Sequence, residues 1–543
     1  MAEHLVYVIS DLHLGGAPGA TASDRGFRIC TQGDALAGFI EALAAQPTGP
    51  GAPRTELVIN GDFVDFLAEK DEPVAWTALK EDPERARLLF ERIVERNRPV
   101  FQALARFIKR GHTLTVLIGN HDIELAFPAV RQALAAALGL GAGAPLCFLH
   151  DGEAYAVGDA LIEHGNRYDG FNAVDFDALR RVRSIQSRGL PVPADRRLTP
   201  PPGSQLVAEV MNPLKQYYPF IDLLKPEAEA AVPLLLALAP GAWRPLARTA
   251  ALVLKSRQHK LRSPAMPERT GDIAAVDAFG PLGGAGGAGL RDGGLAGGEL
   301  LASRAPAFDF DPMGPPPATS DSDEAALRQV LREELGTVEA ERFLHEIDAG
   351  TAPLRRADPF GGGDRGDIAA FVDEAPGASR GLLGTLQGGL AWARLLLISD
   401  DALNENRLSA LHTALRNFCG PDVFDPEREP EDSRYLAAAK EMAQGRYRYV
   451  VMGHTHLCRS VPLPGGGRYL NSGTWADLMR MPAAVLTEGD NGRAALRGLV
   501  EDLRAQRFAS LLWQRPTYAR LELVGDRVQA ASIEEYSGGH GRI

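Results

Sequence analysis

The sequence predicts an α/β sandwich interrupted by one large insertion. Three observations lead there: short β-branched apolar runs flank a stretch of helical periodicity, polar residues begin where each apolar run stops, and about 290 positions separate two of those runs. A crossover needs far fewer. At 543 residues the chain has room for roughly three domains, or for one domain carrying insertions. Apolar residues at 45% and charged residues at 24% are ordinary globular values, so most of the chain can bury a core. The 58 glycines and 38 prolines exceed the roughly 12% expected together, so part of the length must be loop or linker.

Residues 5–10 form the first strand-like run and end in Asp11-Leu12-His13; residues 56–60 form the second and end in Gly61-Asp62. Over 83–110, Leu88, Leu89, Ile93, Val100, Leu104, Phe107 and Ile108 recur at helical spacing and stop at Gly111, a C-cap signal, so one helix is expected. A third strand, 113–118, runs into Gly119-Asn120-His121-Asp122. Residues 154–157 and 160–163 flank Gly158-Asp159 as a hairpin whose second strand ends at His164-Gly165. Much later, 447–452 repeats the pattern and ends in Gly453-His454-Thr455-His456. Strand ends in α/β sheets converge on one edge, the usual place for a site, so these polar residues are expected to meet. Gly61, Gly119, Gly165 and Gly453 are expected to permit tight turns, with positive φ where needed. Residues 469–475 read as a closing strand and turn with Trp475 in the core, and 519–523 with 527–533 as a terminal hairpin around Gly525-Asp526.

Residues 1–178 and 436–543 are therefore assigned to the core, and 179–435 to a mostly helical insertion. Eleven glycines in 271–300, then Pro312, Pro315-Pro316-Pro317 and the acidic Asp321-Ser322-Asp323-Glu324, mark about 271–320 as a flexible tract. Helical periodicity resumes over 323–348 and 401–417. Arginines at 180, 181, 183, 188, 196 and 197 form either a solvated helix face or an anion-binding cluster. Residues 232–254 are apolar but interrupted by Pro233, Pro240, Arg244, Pro245 and Arg248, short of the roughly 20 residues a membrane span needs. They turn basic at Lys255, Arg257, Lys260 and Arg262, which suits a packed helical subdomain or peripheral membrane contact through 232–262.

A net charge of −12 argues against nonspecific coating of nucleic acid, which draws its affinity from Lys and Arg. Cys30, Cys147, Cys419 and Cys458 are dispersed, without a CxxC pair, so neither a disulfide framework nor a thiolate zinc site is expected. The N-terminal Met1-Ala2-Glu3-His4 leads straight into a strand with no secretory pattern. The expected location is the cytoplasm, with the inner membrane surface as the place of any peripheral contact.

Asp11-x-His13, Gly61-Asp62, Gly119-Asn120-His121-Asp122, His164-Gly165 and Gly453-His454-Thr455-His456, in that order and each after a strand, resemble the signature of calcineurin-like metallophosphoesterases. The resemblance covers roughly residues 1–175 and 440–480. It implies a four-layer α/β/β/α sandwich and hydrolysis of a phosphomonoester or phosphodiester by a hydroxide bridging two metal ions. By the same resemblance Asp11, His13 and His456 hold one ion, Asn120, His164 and His454 hold the other, and Asp62 bridges them. His121 is similar to the family's non-ligand histidine, which contacts the phosphate and protonates the leaving oxygen. Asp65 resembles the carboxylate that orients that histidine in the phosphoprotein phosphatase branch, with Asp122 as second choice. Carboxylate, amide and imidazole ligands without sulfur suit Mn, Fe, Zn or similar divalent ions, Mn being favoured here. Two such ions can clamp the attacking and leaving oxygens of an in-line displacement. His4, His112, His150, His259, His345, His412 and His540 are read as caps or surface residues.

The expected substrate is a phosphorylated small molecule, a nucleotide or a lipid. The apolar and basic insertion resembles the helical cap of the branch containing UDP-2,3-diacylglucosamine pyrophosphohydrolases, which makes a lipid-nucleotide pyrophosphohydrolase the alternative. That branch generally has Arg where this chain has His121, and a shorter insertion. A nuclease similar to the double-strand-break repair exonucleases shares the motif order, but the acidic charge and the lack of a long heptad coiled coil oppose it. A noncatalytic scaffold, as in a retromer subunit of this fold, tends to lose ligands that are all present here. Deleting residues 271–318 is expected to leave hydrolysis of p-nitrophenyl phosphate unchanged; a collapse in rate would show that the glycine-rich tract shapes the site.

Overall fold

The N-terminal apolar run becomes β1 (His4–Ile9), buried at every position after the first, as a strand inside a parallel sheet must be. The computed structural model describes residues 3–19, 25–71, 76–140, 146–225, 405–418, 421–430 and 433–538, with Leu234 and Arg332 as isolated further positions. Beside β1 run β2 (Arg54–Asn60), β3 (Thr113–Leu117) and β4 (Leu146–Leu149), all parallel to it. A second sheet comprises β5 (Tyr155–Val157), β6 (Ala160–Ile162), β7 (Tyr449–Met452), β8 (Arg459–Pro462) and β9 (Arg468–Asn471), in the order β5-β6-β7-β9-β8. β6, β7 and β9 are parallel, and β5 and β8 pair antiparallel at the two edges. A short ribbon joins β10 (Leu478–Met479) to β11 (Leu512–Trp513). The terminal hairpin, β12 (Thr517–Val524) and β13 (Arg527–Glu535), adds antiparallel to β1, giving a first sheet of order β13-β12-β1-β2-β3-β4. The fold is thus α/β with two mixed sheets. Ala160 of β6 pairs with Tyr449 of β7, so the chain leaves this sheet after β6 and returns beside the same strand.

The longer helices among the described residues are α1 (Gly33–Ala44), α2 (Pro83–Arg96), α3 (Arg98–Lys109), α4 (Pro128–Ala137), α5 (Phe176–Gln186), α6 (Glu405–Phe418), α7 (Arg434–Ala443) and α8 (Asp490–Arg504). Side chains alternate across a strand, and the first sheet uses both faces. Tyr7, Ile9, Leu57 and Ile59 pack with Leu36, Phe39, Phe90, Phe101 and Leu104 of the helices. Val6, Val8, Val58 and Leu117 pack with Val157, Ile162, Val451 and Leu470 of the second sheet. Val450, Met452 and Tyr469 face Leu436 and Ala439 of α7. A separate cluster joins Leu411 and Leu415 of α6 to Leu496 and Val500 of α8 and to Phe220 and Leu223.

The single helix expected over 83–110 is two. Pro99 lies in the first turn of α3, where its missing N–H is harmless, whereas inside a continuous helix its ring would meet the carbonyl four residues back. Asn97 ends α2, donating its amide to the Ile93 carbonyl at 2.9 Å. Leu88 is exposed despite its helical spacing. Trp475 is fully buried, as expected, and its ring nitrogen donates to the Thr517 carbonyl at 3.1 Å. α6 coincides with the periodicity over 401–417. Apart from Leu234 and Arg332, the apolar and basic stretch 232–262, the tract about 271–320 and the periodicity over 323–348 lie outside the described residues. The arginines at 180, 181, 188, 196 and 197 are exposed; Arg180 meets Asp177 on its own helix and Arg197 meets Glu81. All five are thus open to solvent. Among the described residues no helix is long and apolar enough to cross a membrane.

Phe39 lies with its ring 5.3 Å from Trp475 and 4.9 Å from Tyr518, joining α1 to the closing turn and to β12. Phe39→Ala is expected to lower the unfolding free energy by about 3–5 kcal/mol, measured by urea titration.

Candidate metal centre

Every residue named from the sequence as a ligand sits where β1, β2, β3, β6 or β7 has just ended. The loops are stitched together across the two sheets. Asp11 N–H donates to the Gly61 carbonyl at 3.2 Å, His13 N–H to Asp62 at 2.9 Å, and Gly453 N–H to His164 at 3.0 Å. His454 N–H reaches the Asp11 carboxylate at 2.9 Å. Among the described non-glycine residues, positive φ occurs at Asp11 (53°), His13 (43°), Asp62 (48°), His454 (69°), His456 (62°) and Gln506 (56°). Left-handed backbone costs a residue with a β-carbon on the order of 1–3 kcal/mol, and such strain gathers at functional sites. Five of these six are expected ligands.

Three groups of possible ligands result, of which the group of His13, Asp62 and His121 overlaps the other two. Asp11, His13 and His456 form one: His456 Nε2 lies 3.4 Å from Asp11 Oδ1 and 3.1 Å from His13 Nε2. Asp62, His164 and His454 form another. One oxygen of Asp62, Oδ2, lies 3.2 Å from His164 Nε2 and 3.7 Å from His13 Nε2, facing both groups, while Oδ1 accepts from the His121 N–H at 2.9 Å. Ligand atoms about 2.1 Å from a shared cation stand roughly 3.0–3.4 Å from one another, which is the spacing found.

Hydrogen bonds choose which nitrogen of each ring is left for the centre. His164 Nδ1 donates to the Asn60 carbonyl at 2.8 Å, leaving the Nε2 lone pair inward. His13 Nδ1 pairs with Asp65 Oδ2 at 3.2 Å, with the same consequence. His454 Nε2 pairs with Asp169 Oδ2 at 3.2 Å, which leaves Nδ1. Asn120 Oδ1 is buried with no hydrogen-bond partner, and His164 Nε2, equally buried, faces the Asp62 carboxylate at 3.2 Å. Buried polar atoms normally have a partner. An orphaned amide oxygen near a carboxylate, with imidazole nitrogens facing each other at 3.1 Å, fits a cation among them.

Electrostatics point the same way. Burial pushes the Asp62 carboxyl up, but His164, His121 and His13 outweigh it and hold the group well below the ordinary range. Burial disfavours a charged His164, yet Asp62 raises it to about 10. Burial, then Lys225 and His13, keep His456 well below its usual value and hence neutral. Asp62 thus favours positive charge beside it, which a cation would supply.

His121 Nδ1 lies 3.2 Å from Asp65 Oδ1, and the other oxygen of Asp65 is the one paired with His13. One carboxylate therefore supports two rings. Asp122, the second choice for that task, turns elsewhere: it accepts from the backbone N–H of Gly119 at 2.6 Å and of Phe63 at 2.8 Å, tying the loop. Burial, and then the charge of Asp62, push it up to about 8. Asp169, Asn172 and Ser10, whose hydroxyl donates to Asp11, were given no role in the site from the sequence, where the polar run 166–172 after His164 was the hint of the first two. His112 and His412 are buried and bond to the Ala44 and Val485 carbonyls, so the surface reading of these two is corrected.

Two of the motif glycines act by close approach rather than by φ. A methyl at Gly119 would strike the Asp62 carboxylate, and one at Gly453 would strike Ser10 and Asp11. Gly119→Ala is expected to weaken Mn²⁺ uptake at least about tenfold while far-UV circular dichroism is preserved, as measured by metal analysis of the dialysed protein.

Compared with family models, with curated proteins and with solved structures, the chain gave no match.

Proposed function

We propose that the chain is a dimetal-dependent phosphoesterase of the calcineurin-like metallophosphoesterase type, hydrolysing a phosphomonoester or phosphodiester of a small molecule, nucleotide or lipid. The observation that carries the reading is Asp62 Oδ2 set between His164 Nε2 and His13 Nε2, with Asn120 Oδ1 buried and without a partner. The helix, sheet, sheet and helix packing clusters support the four-layer arrangement that accompanies this chemistry.

In this reading Asp11, His13 and His456 would hold one divalent cation, Asn120, His164 and His454 would hold the other, and Asp62 would serve both. Mn is the favoured metal. Such a pair supplies Lewis acidity toward phosphoryl oxygens and lowers the pKa of water toward about 7. The protein groups do the rest. His121, at the rim of the cage with its side chain 19% exposed, binds a phosphoryl oxygen and delivers a proton to the departing alkoxide. Asp65 holds that ring through Nδ1, so the proton leaves from the opposite nitrogen. Carboxylates and imidazoles taken out of water keep the charges strong at the point of reaction. The free thiols Cys30, Cys147 and Cys458 agree with a reducing compartment, and we place the protein in the cytoplasm.

Asp62→Ala and His454→Ala are expected to lose turnover of bis-p-nitrophenyl phosphate together with bound metal. His121→Ala should slow turnover by about 10²–10⁴ and keep its metal. Metal loss in His121→Ala would reassign that residue, and an inert wild type across Mn, Ni, Co, Zn and Fe would overturn the proposal.

A further inference from the structure

We propose that Asp169 and Asn172 are positioning residues for one cation only, the one assigned to Asn120, His164 and His454. The inference rests on the two-cation reading above. Both residues lie on the loop that follows His164. The Asp169 carboxylate is fixed from several sides: its Oδ1 accepts from the Phe171 N–H at 3.1 Å, its Oδ2 from the Asn172 amide at 2.9 Å, and Arg434 stands 3.8 Å away. It presents Oδ2 to His454 Nε2 at 3.2 Å. With its proton directed at a carboxylate, the ring turns the Nδ1 lone pair inward as a stronger base.

Asn172 repeats the device. Its side-chain oxygen accepts from the Asn120 amide at 3.4 Å, which aims the orphaned Asn120 Oδ1 at the centre. The loop is itself held. The Asn172 carbonyl accepts from the Asn166 amide at 2.9 Å, and Arg434, at the start of α7, donates to the Tyr168 carbonyl at 3.0 Å. The other cation's group draws its support from a different place, since His13 is backed by Asp65 at the end of β2. The two cations therefore have separate outer supports.

Equilibrium dialysis of the metal-free full-length chain against Mn²⁺ alone tests this. Wild type should bind two equivalents. Asp169→Ala should keep one at wild-type affinity and bind the other about 10–100-fold more weakly. Asn172→Ala should weaken the same equivalent. Asp169→Asn, which keeps the shape and an acceptor oxygen, should fall between wild type and Asp169→Ala, and its unchanged circular dichroism guards against misfolding. Added to His456→Ala, in which the other cation is expected to be lost, Asp169→Ala should weaken the remaining Mn²⁺ equivalent by the same factor of about 10–100. Equal weakening of both equivalents, or a wild-type isotherm in Asp169→Ala, would overturn the inference and leave the two-cation reading intact. A wild type that binds no Mn²⁺ would instead overturn that reading, and this inference with it.

Discussion

A single carboxylate oxygen of Asp62 faces His164 Nε2 at 3.2 Å and His13 Nε2 at 3.7 Å, and the arrangement of both sheets follows from that contact. His13 and Asp62 follow strands of the first sheet, and His164 follows a strand of the second. The two sheets must therefore pack with these strand ends on the same side. The alternation of Val6 and Val8 against Tyr7 and Ile9 achieves this by giving one strand two apolar faces, one toward the second sheet and one toward the helices.

The cage is costly for the protein alone. Five of its residues take left-handed backbone, and Asp11, Asp62 and His164 are almost wholly removed from water. Burying unpaired charge costs several kcal/mol per ion, and strained φ adds to it. Part of the cost is offset locally: Asp11 accepts from the His454 N–H and the Ser10 hydroxyl, and Asp62 from the His121 N–H. A divalent cation would offset much of the remainder, which is the thermodynamic sense in which such a site is poised to bind one.

Function and folding meet again in the glycines and in the outer supports. Gly119 and Gly453 stand where a methyl would collide with the carboxylates of Asp62 and Asp11, so the absence of a side chain there is a statement about the distance between loops. The loop carrying Asp169 and Asn172 comes just before the long insertion, and Arg434, which grips that loop, comes where the described chain resumes α7. Asp169 before the insertion and Tyr435 at its end thus both approach His454, the latter with ring centroids 6.2 Å apart.

Read alone, the sequence determined the strands that end in polar residues, because a β-branched run followed by Gly, Asp, Asn or His is a local signal; the seven expected ligands and His121 were singled out by the resemblance those motifs carry, not by the local signal. It also carried the terminal hairpin and the burial of Trp475. It misjudged the stretch 83–110, where apolar periodicity continues across Pro99 because α2 and α3 face the same core while the backbone has to restart. The tertiary structure alone decided that Asp65 serves two histidines, that Asp122 ties backbone amides instead, and that Asp169 and Asn172 stand behind His454 and Asn120. Those contacts join residues from 52 to 285 positions apart, or set apart two carboxylates of identical local chemistry. A hydrogen bond depends on position and angle in space, and spacing along the chain encodes neither across such distances.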